Sequence, residues 1–409
     1  MRRIVRTLCS VIFILHGLSV GQVKTGADLL FEKYAHLVEG KRIGLVTNHS
    51  ALLSNGKHLV DAISESRRAR LVALFGPEHG VRGDAPAGKK IIDARDEKTG
   101  VPVYSLYGQI NKPTPEMLKD VDVLLFDILD VGVRFYTFES TMSLAMEAAA
   151  EMGIPYIVLD RPNPIRGTWV EGFIRLDSLR SFVGLYPIPV AHGLTMGELA
   201  TMINNEGWLK NGVRADLKVV KMEGWKRTMW FDETGVRWVK PSPNIAGLAT
   251  AVVYPGTCFF EGTNVSEGRG TERPFETIGA PFVAGEQLAR ELQSYGLPGV
   301  VFEPIKFTPR DIPGAASNPK HKSIECGGVF VKVVDRNVYE PVRTGIAMLS
   351  ALKKLYPNDF QWRNSIDRLS GTPMVRLRID AGEKPENIVA AWKVELAGFG
   401  KLREKYLLY

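Results

Sequence analysis

The first half of the chain alternates short apolar runs with longer amphipathic segments. Near-continuous apolar runs, each bounded by turn or polar residues, lie at residues 43–47, 71–75, 101–106, 121–128 and 156–159. Such runs are typical of strands buried on both faces of a parallel sheet. Segments with helical spacing lie between them, at residues 57–66 and 140–152. The alternation predicts an α/β domain with an open, doubly wound sheet, in which ligands bind beyond the carboxyl ends of the strands.

The pattern changes near residue 251. Before it, Thr195 followed by Glu198 predicts a capping box and a helix that reaches Trp208, and a further strand is predicted at 217–220. After it, residues rich in Gly, Thr, Glu and Arg predict a long ordered loop at 254–281. The remainder predicts strands near 328–334 and 374–379 and helices near 341–355 and 385–397. We therefore predict two domains, α/β over residues 22–250 and a smaller α+β domain over 251–409.

The amino terminus predicts export. Three arginines among the first six residues precede an apolar stretch at 7–20, and polar sequence follows. This is the pattern of a secretory signal peptide, here residues 1–21, and the apolar stretch is shorter and more interrupted than a stable spanning helix requires. A membrane anchor is the alternative. We expect the mature chain to be periplasmic or extracellular, with no membrane contact after the signal is removed.

The composition and the absence of certain motifs argue against nucleic acid, zinc and nucleotide cofactors as ligands. The net charge of +7 falls to +4 without the three signal arginines, which is too mild to indicate nucleic-acid binding. Cys258 and Cys326 could pair or stay as buried thiols, and two cysteines without nearby histidines form no zinc site. The chain lacks both GxGxxG and GK[ST] patterns, so we expect no cofactor and no metal.

The most distinctive motif directly follows the apolar run at 71–75. Gly76, Pro77 and Gly80 predict a tight turn that fixes Glu78 and His79 at the carboxyl edge of the sheet. A carboxyl group held beside apolar strand ends has a raised pKa, as a general acid requires. The alternative is a turn whose glutamate caps a neighbouring helix.

Further polar residues follow other predicted strands. Asp130, Arg134 and Tyr136 come after the run at 121–128 and could hold a sugar by hydrogen bonds and stacking, whereas Asp127 is expected to be structural. An Asp–Arg pair that ties down this loop is the alternative. Asn163 lies between two prolines, and His192 precedes the capped helix. His192 is equally consistent with a satisfied loop residue.

The loop at 254–281 carries the densest polar cluster. Arginine in a rigid turn suits bidentate recognition of a carboxylate, and a loop from a second domain could close a cleft over the first. The candidate ligand-binding residues of this loop are Asn264, Glu267, Arg269 and Arg273.

Six motifs occur in order along the chain: GPEHGVRGDAPAG, FDILDVGVRFYT, LDRPNPIRG, PVAHGLTMGELA, PSPNI and YPGTCFFEGTNVSEGRGTERPFETIGAP. Together they resemble the NamZ-type exo-β-N-acetylmuramidases, a glycoside hydrolase family formerly of unknown function. The resemblance implies a Rossmann-like amino-terminal domain, a smaller carboxyl-terminal domain and an active site in the cleft between them. It also implies release of terminal N-acetylmuramic acid from the non-reducing ends of peptidoglycan fragments.

The same resemblance assigns candidate roles. It matches Glu78 to the catalytic glutamate, which would serve as general acid/base. The second group stays open between Asp130, Glu261, Glu267 and the acetamido group of the substrate. The lactyl carboxylate needs a cation, which Arg134, Arg269 or Arg273 could supply. One position departs from the motif, since Leu129 stands where glutamine is expected.

These observations predict a hydrolase that acts on peptidoglycan-derived muropeptides or disaccharides. A non-catalytic muropeptide-binding protein that uses the same cleft is the main alternative, and Glu78 favours the enzyme because a binder needs no acid. Serine and zinc hydrolases are disfavoured, because the chain has neither GxSxG nor HExxH.

Overall fold

The computed structural model describes residues 22–78, 80–83 and 94–409. The predicted signal peptide at 1–21 therefore lies outside the described residues. None of the helices in these three ranges combines the length and the apolar character that crossing a membrane requires.

A seven-stranded sheet organises the first half of the chain and confirms the predicted α/β class. Its strand order is β3-β4-β2-β1-β5-β6-β7, and every neighbouring pair is parallel except β3 with β4. Connections run outward in both directions from β1, which makes the β1/β5 boundary the switch point of the sheet. The strands are β1 Arg42–Thr47, β2 Arg70–Gly76, β3 Ala94–Arg95, β4 Pro102–Ser105, β5 Val123–Asp127, β6 Tyr156–Leu159 and β7 Leu217–Val220.

Both faces of this sheet are buried, as the apolar runs predict. Successive side chains on a strand point to opposite faces. Accordingly, Leu124 and Phe126 of β5 pack into one core cluster, while Val123 and Leu125 pack into another. Helices cover the two faces: α1 Gly26–Glu32, α2 Leu59–Ser66, α3 Pro115–Leu118, α4 Phe138–Glu151 and α5 Met196–Asn205.

The capping box predicted for α5 is present. The Thr195 side chain accepts a hydrogen bond from the Glu198 backbone N–H at 3.2 Å, and the Glu198 carboxylate accepts one from the Thr195 N–H at 3.0 Å. The box fixes where the helix begins because it satisfies backbone donors that have no partner within the helix.

The second half is a smaller α+β unit around an antiparallel sheet of order β8-β10-β9. Its strands are β8 Thr277–Ala280, β9 Val300–Phe307 and β10 Cys326–Val333. Its helices are α6 Leu248–Thr257, α7 Gly285–Ser294, α8 Pro341–Leu355, α9 Ile366–Ser370, α10 Met374–Asp380, α11 Pro385–Ala390 and α12 Lys393–Glu404. Cys258 and Cys326 are both buried, free thiols.

Two sequence predictions for this half are wrong. The strand predicted at 374–379 is helix α10, because Val375 and Ile379, four residues apart, are the buried positions while Leu377 is 48% exposed. The loop predicted from residue 254 begins inside α6, which continues through Pro255 into a 3₁₀ turn, Cys258–Gly262. Tertiary packing overrides the local helix-breaking signal of this proline.

Candidate active site

A cavity of about 210 Å³ lies at the carboxyl edge of the seven-stranded sheet. Both halves of the chain build its wall. The first half contributes Glu78 after β2, Tyr107 after β4, residues 135–138 around the start of α4, and the loop residues Val183, Ser242, Asn244 and Ile245. The second half contributes residues from α6 and the loop after it. The polar residues of the wall are Glu78, Tyr107, Tyr136, Thr137, Ser242, Asn244, Tyr254, Glu261 and Arg269, and the apolar ones are Phe135, Phe138, Val183, Ile245 and Phe275.

Glu78 is held in this wall by a tight turn at the end of β2. A methyl group at Gly76 would lie 3.1 Å from the Gly80 Cα, so the chain doubles back closely on itself. Gly80 adopts a φ of +76°, which favours glycine. The buried β2 and this turn together fix the direction in which the glutamate leaves the sheet.

Burial raises the pKa of Glu78 above its ordinary value, and the nearby charge of Glu261 raises it further. A hydrogen bond with Tyr107 and the positive charge of Arg269 act in the opposite direction without cancelling the effect of burial. The protonated form of Glu78 is thereby favoured beyond that of an exposed glutamate. This is the condition for a general acid.

Tyr107 was not among the candidates from the sequence, and it is the wall residue that contacts Glu78. It follows β4, which lies next to β2, and its hydroxyl hydrogen-bonds with the Glu78 carboxyl group. Burial, followed by the charge of Glu78, raises the pKa of Tyr107 to about 12, so the phenol stays neutral. The rule that ligands bind beyond the carboxyl ends of strands could have found this residue.

Tyr136 lines the cavity beside Ser242. Its ring packs edge-on against Phe138 and Tyr254, at centroid distances of 4.8 and 5.9 Å. Burial raises the pKa of Tyr136 well above its ordinary value. The hydroxyl is buried near Ser242 and makes no hydrogen bond of good geometry with the described residues.

Glu261 and Arg269 form the charged side of the wall. Arg269 donates from Nη2 and Nε to the same carboxylate oxygen, Glu261 Oε1, at 2.7 and 3.2 Å. Its guanidinium carbon also lies 5.0 Å from the centre of the Phe275 ring. Burial by itself would lower the pKa of Arg269, but the charges of Glu261 and Glu267 raise it above its ordinary value. Arg269 is therefore a permanent cation.

Arg134, predicted to contact substrate, lies instead in the protein interior. It is 1% exposed and donates to the backbone carbonyls of Phe173, Ile188 and Leu369 at 2.8, 2.9 and 2.7 Å. Burial lowers the pKa of Arg134 to about 9. Its bonds join the first half to α9 of the second half, so we do not propose it as a ligand contact.

Asp130 and His192 are also buried behind the cavity wall, together with Glu139. Burial, followed by the charge of Glu139, raises the pKa of Asp130 well above its ordinary value. His192 Nε2 lies 2.7 Å from Glu139 Oε1, while His192 Nδ1 accepts the Leu194 N–H at 3.1 Å. Neutral His192 must therefore carry its proton on Nε2. A metal ligand would need a lone pair there, so the arrangement disfavours metal binding at this cluster.

The remaining candidates bond within the protein and lie outside the cavity wall as the described residues form it. Asn163 donates to the Leu194 carbonyl at 2.9 Å, and Asn264 donates to the Asp359 carbonyl at 2.8 Å. Glu267 pairs with Lys320 at 2.8 Å, and Arg273 lies over the Phe330 ring at 4.5 Å. His79 lies outside the described residues.

Two further residues of the FDILDVGVRFYT motif, Asp127 and Leu129, have structural roles outside the cavity. Asp127 forms a buried ion pair with Arg161, with an Nε–Oδ1 distance of 2.5 Å. Leu129 is 3% exposed and lies beside Ser50 and Arg161, not in the wall of the Glu78 cavity. The leucine therefore removes no polar contact from that cavity.

Known proteins resemble this chain over nearly its whole length. The family model described as exo-beta-N-acetylmuramidase NamZ, N-terminal, matches residues 43–249, and the corresponding C-terminal model matches residues 252–409. Peptidoglycan beta-N-acetylmuramidase NamZ of Bacillus subtilis (strain 168) is 50% identical over 390 residues, which are 95% of this chain and 92% of that protein.

Two crystal structures from Bacteroides fragilis NCTC 9343 share the fold. Both are described as DUF1343 family proteins. One has a TM-score of 0.87 at 40% identity, and the other has a TM-score of 0.78 at 34% identity. Each alignment covers 95% of this chain and 99% of the Bacteroides chain.

Proposed function

The chain belongs to the NamZ family of exo-β-N-acetylmuramidases, and we propose that it is an exo-acting glycoside hydrolase. It removes terminal β-linked N-acetylmuramic acid from the non-reducing ends of peptidoglycan fragments. The likeness to the B. subtilis enzyme over 95% of the chain supports this reaction. The observation that carries the proposal is a carboxyl group, Glu78, fixed in a cavity where burial favours its protonated form.

Glu78 acts as the general acid. In its protonated form it gives a proton to the glycosidic oxygen as the bond from that oxygen to the anomeric carbon breaks. Tyr107 bonds to the same carboxyl group and restrains its orientation. Tyr136 lines the same wall, and its ring, packed against Tyr254, shapes the space beside the acid.

Arg269 recognises the lactyl carboxylate that distinguishes muramic acid from glucosamine. Of the three candidate arginines, Arg134 is buried in bonds to carbonyls and Arg273 stacks on Phe330 outside the cavity. Arg269 lines the cavity, and its Nη1 makes no hydrogen bond to the described residues. This nitrogen can donate to an incoming carboxylate while Nε and Nη2 keep their bonds to Glu261.

The first test compares two chromogenic substrates, a β-N-acetylmuramide and the β-N-acetylglucosaminide that lacks the lactyl group. We expect turnover of the muramide and little of the glucosaminide. Equal turnover of both would contradict the role of Arg269. No turnover of either would favour a binding protein that uses the same cavity.

The second test replaces the acid. Glu78→Gln should lower kcat on the muramide by about 10²- to 10⁴-fold while binding of N-acetylmuramic acid persists, because general acid catalysis contributes that much. Glu383→Gln is the matched control, since Glu383 is paired with Arg378 and does not belong to the described cavity wall. Unchanged kcat in Glu78→Gln would remove Glu78 from the mechanism.

We further propose that residues 1–21 are a signal peptide and that the protein acts in the periplasm or outside the cell, where muropeptides and cell-wall disaccharides are released. The family's substrate supports this location. Amino-terminal sequencing of the protein recovered from its native host should find the mature chain starting near residue 22. An intact residue 1 in the active protein would contradict export by cleavage.

A further inference from the structure

We propose that Glu261 is the second catalytic carboxylate of this site, and the inference rests on the function proposed above. From the sequence, the second group could be Asp130, Glu261, Glu267 or the substrate's own acetamido group. The structure separates the three side chains by their surroundings. Glu261 lines the cavity that contains Glu78, whereas Asp130 and Glu267 do not.

The two other carboxylates have no access to substrate. Asp130 is 5% exposed and accepts the Gly132 N–H at 2.7 Å within the core. Glu267 is 4% exposed, and its Oε2 accepts from Lys320 Nζ at 2.8 Å. The Glu261 side chain, in contrast, is 32% exposed, and that exposure opens into the cavity.

The two oxygens of Glu261 are used differently. Both hydrogen bonds from Arg269 go to Oε1, while Oε2 accepts none from the described residues. One oxygen therefore anchors the side chain, and the other stays available to substrate. A carboxylate held in this way is preorganised, since it need not turn when charge develops beside it.

The backbone under Glu261 is fixed as well. Glu261 belongs to the 3₁₀ turn Cys258–Gly262, and its carbonyl accepts a hydrogen bond from the Ser365 hydroxyl at 3.3 Å. A Cβ on the next residue, Gly262, would lie 2.7 Å from the Ile366 Cα, so this turn packs directly on α9. The second half of the chain thus positions the carboxylate opposite the sheet that positions Glu78.

Charge distinguishes the two cavity carboxyl groups. Glu261, Arg269, Glu267 and Lys320 form a chain of alternating sign that leads from the cavity wall into the protein. The guanidinium of Arg269 lies directly against the Glu261 carboxylate. Glu78 forms no such ion pair with the residues that the structure describes, and its carboxyl group hydrogen-bonds with the neutral phenol of Tyr107. A carboxyl group with a raised pKa and a second one paired with a cation match the two carboxyl groups that a glycosidase uses.

The chemical role follows from this assignment. The Glu78 proton passes to the glycosidic oxygen, and the electron pair of the bond between the anomeric carbon and that oxygen leaves with the oxygen. Positive charge then develops at the anomeric carbon and the ring oxygen, and the Glu261 carboxylate stabilises it. A water molecule supplies the hydroxyl group of the new hemiacetal and one proton, which restores the protonated acid.

The test is the pH profile and kcat of Glu261→Gln on the chromogenic muramide. We expect kcat to fall at least about 100-fold and the acidic limb of kcat/KM to disappear, because that limb reports the group that must be ionised. Melting temperature measures folding separately. Glu383→Gln, which removes the charge of another arginine-paired glutamate, should keep the wild-type profile.

A second variant guards against a purely structural effect. In Glu261→Ala, sodium formate should restore part of the lost kcat, whereas sodium chloride of equal ionic strength should not, because only formate replaces the carboxylate. Wild-type kcat in Glu261→Gln, or no difference between formate and chloride in Glu261→Ala, would overturn the assignment while the function stands. An inactive wild type would overturn the proposed function and this role together.

Discussion

Replacing Arg134 by methionine separates a structural arginine from a substrate-binding one. The side chain is 1% exposed and supplies donors to three backbone carbonyls, one of them in the second half of the chain. Methionine fills much of the same space but donates nothing. We therefore expect Arg134→Met to weaken folding and to leave recognition of the lactyl group unchanged.

The expected magnitude follows from the bonds that are lost. Each buried carbonyl left without a donor costs about 1–3 kcal/mol. Removing the buried charge offsets part of this loss of stability, because burial disfavours the charged guanidinium and lowers the pKa of Arg134 to about 9. The net loss should be about 3–5 kcal/mol, as for other broken buried charge interactions. With an unfolding entropy of about 2.1 cal/mol/K per residue, the melting temperature should fall by roughly 4–6 °C.

Thermal melting and steady-state kinetics on the muramide, well below both melting points, measure the two effects. Arg273→Met is the matched control, because this exposed arginine lies over Phe330 and its side chain makes no hydrogen bond or ion pair with the described residues. It should shift the free energy of unfolding by less than about 1 kcal/mol. A raised KM for the muramide at an unchanged melting temperature in Arg134→Met would refute the reasoning and return Arg134 to the binding site.

Two further predictions concern titration. Tyr107→Phe removes a hydrogen bond that lowers the pKa of Glu78, so Glu78 should stay protonated to higher pH. The alkaline limb of the kcat/KM profile should therefore move to higher pH. A move to lower pH would contradict the contact. The Arg82 guanidinium lowers the pKa of Asp96 to about 2, so the carboxylate adds stability above about pH 4 that is lost as the pH falls toward 2. The gap in unfolding free energy between wild type and Asp96→Asn should therefore be largest near pH 7 and close near pH 2, and a gap independent of pH would contradict the pairing.

Features that short segments encode could be predicted before the fold was known. Apolar runs located the central strands because a strand buried on both faces has few polar positions to offer. Thr195 and Glu198 predicted the start of α5 because all the residues of a capping box lie within four positions of one another. The GPEHG motif placed Glu78 at a strand end for the same reason, since the turn and the strand adjoin it in the chain.

Which polar side chains face the cavity depends on contacts that form only in the folded chain. Arg134 and Arg269 have equivalent chemistry in sequence, yet one bonds to a carbonyl 235 residues away and the other lines the site. Glu261 and Glu267 are the same residue type in the same loop, but the first lines the cavity and the second is buried against Lys320. Burial and hydrogen-bond partners are set by contacts between distant segments, and no local pattern records those contacts.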